Sequence, residues 1–313
     1  MPSDTRLSAS LLHRLEVPTG PVDVVLDTDT ANEVDDQFAL SYLLASQEKL
    51  RVQAIYAAPF FNENSTGPED GMEKSYEEIL KLLELAHCSQ YKDRVFKGSG
   101  KYLPDETTPV LSPAAQDLAK RAMNYSPENP LYVVAIGALT NVASAFLLEP
   151  AIRDRMVLVW LGGHAWDWPD NREFNAQQDV AADRVLFDSG MAIVQLPCMG
   201  VVSAFRVSDS ELRQYVWGKN PLGDYLVTLV EESQQAAGAG PCWSRPIWDV
   251  TAVAWLMGGF MEDRLEPSPI FQYDHHYSFD RTRHPIKYVY YIHRDELFAD
   301  LFRKLSLLGG GEL

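Results

Sequence analysis

Residues 22–36 read VDVVLDTDTANEVDD, an apolar run that leads directly into a dense group of carboxylates. The run at 22–26 predicts a buried strand, and the apolar residues of 36–45 predict the helix that follows it. The same alternation continues along the chain, with further strands predicted at 51–57, 131–136, 157–161, 192–196 and 286–292. Strands that alternate with helices form right-handed crossover units, which build a mostly parallel sheet. The sequence therefore predicts a single α/β domain, Rossmann-like in topology, with helices flanking the sheet.

Two of the predicted helices begin with capping signals. Residues 75–78 (SYEE) have the form of a capping box, which places the start of one helix there. Ser112 and Pro113 indicate another start, with the serine as N-cap and the proline in the first turn. Further helices are predicted at 179–189, 209–217, 221–237, 248–257 and 295–305. We expect one domain over residues 1–313, with a flexible N-terminal extension at 1–20 and a flexible tail at 308–313.

The carboxylates after the first strand are so closely spaced that their negative charges need compensation. Asp27, Asp29, Glu33, Asp35 and Asp36 fall within ten residues, and this stretch contains no Lys or Arg. Like charges in close proximity repel, and burial favours protonation unless a positive group compensates. A divalent cation would do so, and an all-oxygen ligand set selects Ca²⁺ or Mg²⁺ over zinc. The alternative is a solvated acidic loop that caps the next helix through its dipole.

Three later segments place polar groups where a ligand of such a sheet is expected, beyond the carboxyl ends of the strands. After 131–136, the peptide carbonyl of Thr140 offers a neutral oxygen ligand, although Thr140 is also a plausible helix cap. After 157–161, Glu173 and Asn175 are spaced to grip hydroxyl groups. Asp249 follows Trp248 at the start of an apolar helix, where an Asp usually serves as an N-cap.

The amino-acid composition limits the kinds of molecule and compartment that we expect for this protein. The chain has 27 basic and 44 acidic residues, a net charge of −17, which argues against nucleic acid or an anionic membrane surface. No stretch approaches 18 uninterrupted apolar residues, so we expect no membrane span. Three widely spaced cysteines indicate buried thiols in a reducing compartment. We expect a cytoplasmic protein.

Four elements together resemble the inosine–uridine nucleoside hydrolase family across nearly the whole chain. They are DTDTANEVDD at 27–36, GALTN at 137–141, the GG and EFN elements within 162–175, and the Asp that opens the late apolar helix. The resemblance implies cleavage of the N-glycosidic bond of a small-molecule ribonucleoside, with one tightly held Ca²⁺. We also expect a homo-oligomer, a dimer or a tetramer.

The resemblance assigns roles residue by residue. It implies that Asp29 is both a calcium ligand and the general base. The other implied calcium ligands are Asp36, Asp249 and the carbonyl of Thr140. The implied ribose-binding residues are Asn32, Asp35, Glu173 and Asn175. Because the gap between Asp29 and Asp35 is longer than in the shortest family version, either Asn32 or Glu33 could occupy the expected place.

The residue before the late Asp departs from one family pattern. Many members carry His there, which helps the base to leave, whereas this chain carries Trp248. The purine-preferring branch resembles this chain with Trp-Asp at that place, where the indole stacks on the purine. A sandwich needs a second aromatic ring, and the candidates are Trp166, Trp168 and Tyr102. The resemblance therefore favours a purine preference through Trp248.

Two other functions remain as alternatives. VVLDTDT at 24–30 also resembles the signature of haloacid-dehalogenase-like phosphohydrolases, in which Asp27 would be the nucleophile and Mg²⁺ the cofactor. That family needs a late acidic motif, for which Gly223-Asp224 is the nearest candidate. A non-catalytic, calcium-dependent module that binds nucleosides or sugars is the second alternative.

Overall fold

The computed structural model describes residues 9–308, which form one α/β domain. Its strands are β1 (Val22–Thr28), β2 (Leu50–Ala57), β3 (Val95–Lys97), β4 (Leu131–Ala135), β5 (Met156–Leu161), β6 (Ala192–Leu196), β7 (Arg206–Ser208), β8 (Ser244–Pro246), β9 (Met261–Pro267), β10 (Ile270–Phe271), β11 (Tyr277–Ser278) and β12 (Pro285–Ile292). Its α-helices are α1 (Ala9–Arg14), α2 (Asp36–Leu44), α3 (Pro68–Leu85), α4 (Pro113–Ala122), α5 (Thr140–Leu148), α6 (Phe174–Gln178), α7 (Val180–Asp188), α8 (Asp209–Tyr215), α9 (Pro221–Ala236), α10 (Val250–Met257) and α11 (Arg294–Leu307).

The main sheet has eight strands in the order β3-β2-β1-β4-β5-β6-β12-β9. All neighbours are parallel except β12 and β9, which pair antiparallel. This confirms the mostly parallel α/β sheet. The strand order reverses direction between β1 and β4, and ligands bind beyond the carboxyl ends of strands at such a switch point. The acidic loop after β1 and Thr140 after β4 therefore lie at the place where a site is expected.

The apolar strands fill both faces of the sheet. In β1, Val24 and Leu26 pack into the core on one face, and Val25 packs into the core on the other. Strands β4, β5 and β6 are buried at every residue. A strand covered on both sides needs apolar residues at consecutive positions, which explains why these runs were visible in the sequence.

The N-terminal extension differs from the expectation of flexibility. Residues 9–14 form helix α1, and Leu11 and Leu15 lie in the core with 2% and 0% of their surface exposed. Burial of these two leucines holds the segment against the domain. Residues 1–8 and 309–313, the remaining parts of the two segments for which flexibility was expected, lie outside the described residues.

Other local predictions had mixed outcomes. Ser112 is the N-cap of α4 and accepts a hydrogen bond from the Ala115 N–H at 3.1 Å, as expected. The capping box at 75–78 was wrong, because α3 already begins at Pro68 and Ser75 is buried inside it. Cys242 is exposed, whereas a buried thiol was expected. Within residues 9–308, every helix is too short or too polar to span a bilayer.

Candidate active site

Three buried carboxylates from two elements converge at the carboxyl end of the sheet. Oxygen atoms of Asp35, Asp36 and Asp249 all lie within 4.8 Å of one another. Asp35 and Asp249 occupy the N-cap positions of α2 and α10, but neither side chain makes a capping hydrogen bond. The Asp249 N–H instead donates to Oδ2 of Asp35 at 3.3 Å. Helix capping therefore does not account for these carboxylates.

Asp29 lies beside this cluster without any compensating group. Its side chain is 1% exposed, and neither carboxylate oxygen accepts a hydrogen bond from residues 9–308. Gly137 leaves it room, since a Cβ there would lie 3.1 Å from Oδ1 of Asp29. Burial, followed by the negative charge of Asp36, raises the pKa of Asp29 well above its usual range. Two buried oxygens without hydrogen-bond partners call for an explanation such as a bound ion, and these two lie beside three further carboxylates.

The residues present fit a hard divalent cation. Burial also raises the pKa of Asp35 and of Asp36 to about 6. In the described part of the chain, the guanidinium that reaches this loop is that of Arg245, which forms an ion pair with Glu33. An all-oxygen group of buried carboxylates that needs positive charge suits Ca²⁺ or Mg²⁺.

Thr140 is fixed near this edge of the sheet. It is the first residue of α5, is fully buried, and its hydroxyl donates to Oδ2 of Asp179 at 2.6 Å. This bond holds in place the residue whose main-chain carbonyl is the predicted fourth ligand.

The predicted ribose-binding residues are anchored to the backbone around them. Glu173 accepts hydrogen bonds from the N–H groups of Gly163, Asn175 and Ala176, each at 2.9–3.0 Å. Burial nevertheless raises the pKa of Glu173 to about 7. The amide of Asn175 donates to the Ile136 and Leu161 carbonyls at 3.2 and 3.0 Å, which leaves its oxygen as the group for a ligand.

Asn32 is held by the loop that follows β2. Its Oδ1 accepts from the amide of Asn62 at 2.6 Å, and its carbonyl accepts from the amide of Asn64 at 2.8 Å. Its own N–H donates to the Asp29 carbonyl at 2.7 Å. The tie to Asp29 fixes Asn32 relative to the carboxylate cluster.

A cleft of about 170 Å³ brings most of the predicted residues together. Seven of the nine predicted site residues line it: Asn32, Asp35, Asp36, Glu173, Asn175, Trp248 and Asp249. Glu33, the alternative to Asn32 in the sequence analysis, also lines it, and sequence reasoning assigned no role to several other residues of its wall: His164, Arg172, Phe174, Cys198 and Met199. Cys198 and Met199 come shortly after β6, so the rule that directs attention to strand ends would have found them.

Trp248 lines the cleft and is partly buried. Its indole Nε1 is buried and donates to no acceptor within residues 9–308. The Arg245 guanidinium lies 5.3 Å from the ring centroid. The proposed second aromatics do not line the cleft: Trp166 packs on Tyr288, Trp168 is 41% exposed, and the Tyr102 hydroxyl donates to Gln178.

The phosphohydrolase alternative has no matching site. Asp27 is fully buried, and one of its oxygens accepts from the amide of Asn141 at 2.8 Å, so it is not presented to the cleft. Gly223 and Asp224 lie in the first turn of α9, where Asp224 accepts from the Gly218 N–H at 2.6 Å.

Comparison with known proteins agrees with the geometry. Residues 24–283 match the family model described as inosine-uridine preferring nucleoside hydrolase. The chain belongs to this family. Its members are metal-dependent N-glycosyl hydrolases, which is consistent with the acidic cluster. This assignment replaces the phosphohydrolase alternative.

The nucleoside hydrolase relatives differ in the base they act on. The pyrimidine-specific ribonucleoside hydrolase RihA of Salmonella arizonae is 24% identical over 264 residues, 75% of this chain and 79% of RihA. The plant nucleoside hydrolase PpNRh1 superposes with a TM-score of 0.73 at 19% identity, covering 92% of this chain and 99% of its own. A purine-preferring ribonucleoside hydrolase from Gardnerella vaginalis has a TM-score of 0.70 at 19% identity, with the same coverage. The two structural likenesses show a shared fold.

Proposed function

We propose that this protein hydrolyses ribonucleosides to ribose and free base with one bound Ca²⁺, and that it prefers purine nucleosides. The observation that supports the proposal most strongly is the Asp29 carboxylate, whose two buried oxygens have no partner among the described residues. It lies beside Asp36, whose like charge makes an uncompensated arrangement unfavourable. The family assignment supplies the reaction class.

Four groups would hold the calcium: the carboxylates of Asp29, Asp36 and Asp249 and the carbonyl oxygen of Thr140. A calcium ion held there would position and polarise a water molecule, so that a nearby base could remove its proton. Asp35 shares the carboxylate cluster, and we assign it to a ribose hydroxyl. Asn32, Glu173 and Asn175 would hold the remaining polar groups of the sugar.

Asp29 would act as the general base that takes the proton of the attacking water. As the bond between C1′ and the base nitrogen breaks, its electron pair leaves with the base and positive charge develops on the ribose. The negative carboxylates around the sugar stabilise that charge. The anchored side chains of Asn32, Glu173 and Asn175 orient the ribose, which lowers the entropic part of the barrier.

Trp248 would help the base to leave. It precedes Asp249 in the chain, and both residues line the cleft. Stacking on an aromatic ring is worth about 1–3 kcal/mol per base, and a bicyclic purine offers the larger surface. The packing of Arg245 at 5.3 Å from the ring centroid supports the orientation of the indole.

A nucleoside panel tests the proposal. Inosine, adenosine, guanosine, uridine and cytidine are incubated with the calcium-loaded protein, and reducing sugar and free base are assayed. We expect equimolar ribose and base, with higher kcat/KM for the purine nucleosides. Equal purine and pyrimidine rates would remove the base preference. Saturable binding without any release of base would instead support a non-catalytic nucleoside-binding module.

A pair of tryptophan variants tests the stacking role. Trp248→Ala should lower kcat as well as affinity for inosine, because the interaction strengthens as the base departs. Trp217→Ala is the matched control, since Trp217 is 44% exposed and lies outside the cleft. A Trp248→Ala variant that loses stability but keeps kcat would contradict stacking.

We further propose that the protein acts in the cytoplasm as a homo-oligomer, a dimer or a tetramer. The free thiols of Cys88 and Cys198 support a reducing compartment. Fractionation of the native cells and light scattering of the purified chain test the two statements. Recovery outside the cytoplasm would contradict the first, and a monomer at micromolar concentration would contradict the second.

A further inference from the structure

Two consecutive residues, Gln178 and Asp179, join several loops that carry site residues. Gln178 is the last residue of α6, and Asp179 is the N-cap of α7. Glu173 is the N-cap of α6 and Asn175 lies within it, so the junction follows two predicted ribose-binding residues by three to six positions in the chain. Neither Gln178 nor Asp179 has a role in the chemistry proposed above.

Gln178 hydrogen-bonds two loops that are distant in sequence. Its Oε1 accepts from the Phe61 N–H at 3.0 Å, and its Nε2 donates to the Phe61 carbonyl at 3.2 Å, across 117 residues. The same Oε1 accepts from the Tyr102 hydroxyl, across 76 residues. One amide therefore holds both main-chain groups of Phe61 and the end of the Tyr102 side chain.

Asp179 extends the same junction to two more segments. Its Oδ2 accepts from the Leu103 N–H at 2.9 Å and from the Thr140 hydroxyl at 2.6 Å. Its Oδ1 caps α7 by accepting from the Ala182 N–H at 3.0 Å. Gln178 and Asp179 therefore hold two consecutive residues of one loop, Tyr102 and Leu103, by hydrogen bonds.

Each of the fastened segments leads to the candidate site. Next to Phe61, the amide of Asn62 holds Oδ1 of Asn32 at 2.6 Å. The Tyr102 hydroxyl lies close enough to Asp29 for that negative charge, after burial, to raise the pKa of Tyr102. Thr140 carries the carbonyl that we assign to calcium. The junction therefore contacts Phe61, next to the residue that holds Asn32, and Thr140, which carries one proposed ligand, and it holds Tyr102 within electrostatic range of Asp29.

We propose that Gln178 is a positioning residue, which acts by holding the Phe61 loop and Tyr102 in register with α6. The inference rests on the proposed function. Gln178 touches no group assigned to the substrate, so its effect passes through the loops it holds. Small displacements of orienting groups are costly in catalysis, because the bound geometry supplies much of the rate enhancement.

The neighbouring glutamine provides a matched control. Gln177 lies in the same helix, and its side chain is exposed to solvent. Gln178→Met keeps the length of the side chain and removes its hydrogen bonds, whereas Gln177→Met makes the same chemical change at the surface. Both variants are measured as full chains with calcium, with inosine as the substrate.

We expect Gln178→Met to lower kcat/KM for inosine by about 10- to 100-fold relative to Gln177→Met. The melting temperatures of the two variants should agree within about 2 °C, since a change at one part-buried amide costs little stability. A kcat/KM equal to that of Gln177→Met would overturn the inference. A loss matched by a large fall in melting temperature would overturn it too, because it would indicate a merely structural role.

A double-mutant cycle with Tyr102→Phe gives the second readout. If Gln178 acts partly through Tyr102, the two losses in kcat/KM should be clearly less than multiplicative. Fully multiplicative losses would overturn the proposed connection. Absence of base release by the unaltered chain would overturn the proposed function and this inference with it, whereas a normal Gln178→Met variant overturns this inference alone.

Discussion

Helix α2 has buried charge near both of its ends, and the two groups are built differently. Just beyond its C-terminal end, Lys304 is 4% exposed, and its Nζ lies 2.8 Å from Oγ of Ser46. The same Nζ lies 3.1 Å from Glu48 and 3.2 Å from Asp300. The Tyr42 hydroxyl completes the group by donating to Asp300 at 2.5 Å. Every charge in this group has an opposite charge or a hydrogen bond.

The N-terminal end of α2 has no such balance. Asp35 and Asp36 meet Asp249 there, with Asp29 beside them, and Asp29 has no hydrogen-bond partner among residues 9–308. Burial of charge without a partner destabilises a folded protein, and Lys304 avoids that cost through its partners. The contrast within one helix indicates that the unbalanced end is kept for a ligand.

The largest effect is expected from removing the carboxylate of Asp29, the proposed general base. Asp29→Asn should lower kcat for inosine by on the order of 10³-fold or more, because base and calcium ligand are lost together. The free energy of unfolding of the metal-free chain should stay level or rise, since a buried like charge is gone. Urea titrations and initial rates on the same preparations measure both. A variant with near-normal turnover would remove Asp29 from the mechanism.

The paired end should respond in the opposite way. Lys304→Met should lower the free energy of unfolding by about 1–2 kcal/mol, because Asp300 loses its buried cation and keeps only the exposed guanidinium of Arg303 and the Tyr42 hydroxyl. Glu48 is 60% exposed and adds little to that cost. Turnover per folded molecule should match that of the unaltered chain. Loss of turnover without loss of stability would show that the two ends are not separate in function.

A smaller effect concerns the pH dependence of stability at the cleft. Burial raises the pKa of Glu173 to about 7, from an ordinary value of 4.5. The stability associated with the protonated acid is present below pH 4.5 and is lost as the pH rises through about 7. In metal-free protein, Glu173→Gln should remove this part of the decline, so the unaltered chain should lose stability relative to the variant as the pH rises from about 4.5 to about 7. Curves that stay parallel from pH 4 to 8 would contradict the assignment.

Most of the sheet was predictable because its central strands are buried on both faces. The runs that became β1, β4, β5 and β6 are nearly all apolar, and their ends then located the carboxylates. Strand β9 (MEDRLEP) was missed because it forms the edge of the sheet, where charged residues face solvent. The helix start at Ser75 was wrong because the helix already begins at Pro68, and the Ser75 hydroxyl does not cap it but accepts from the Ala31 N–H, a contact across 44 residues.

The part of the candidate site that depends on local sequence spacing was predictable. Sequence spacing placed Asp35 and Asp36 side by side after Asp29, and the packing of α10 against α2 brought Asp249 to Asp35 and Asp36. The contacts of Gln178 with Phe61 and Tyr102 depend on how three loops pack, and no local pattern encodes that. The surroundings of Trp248 were hidden for the same reason, since Arg245 reaches its ring only in the folded chain.

Calcium stoichiometry tests the central contrast most directly. Protein purified without chelators is analysed for metals, then stripped and titrated with Ca²⁺ by calorimetry. We predict about one Ca²⁺ per chain for the unaltered protein and for Lys304→Met, and greatly weakened binding for Asp29→Asn. Stoichiometric zinc with negligible calcium, or calcium binding that Asp29→Asn leaves unchanged, would contradict the account.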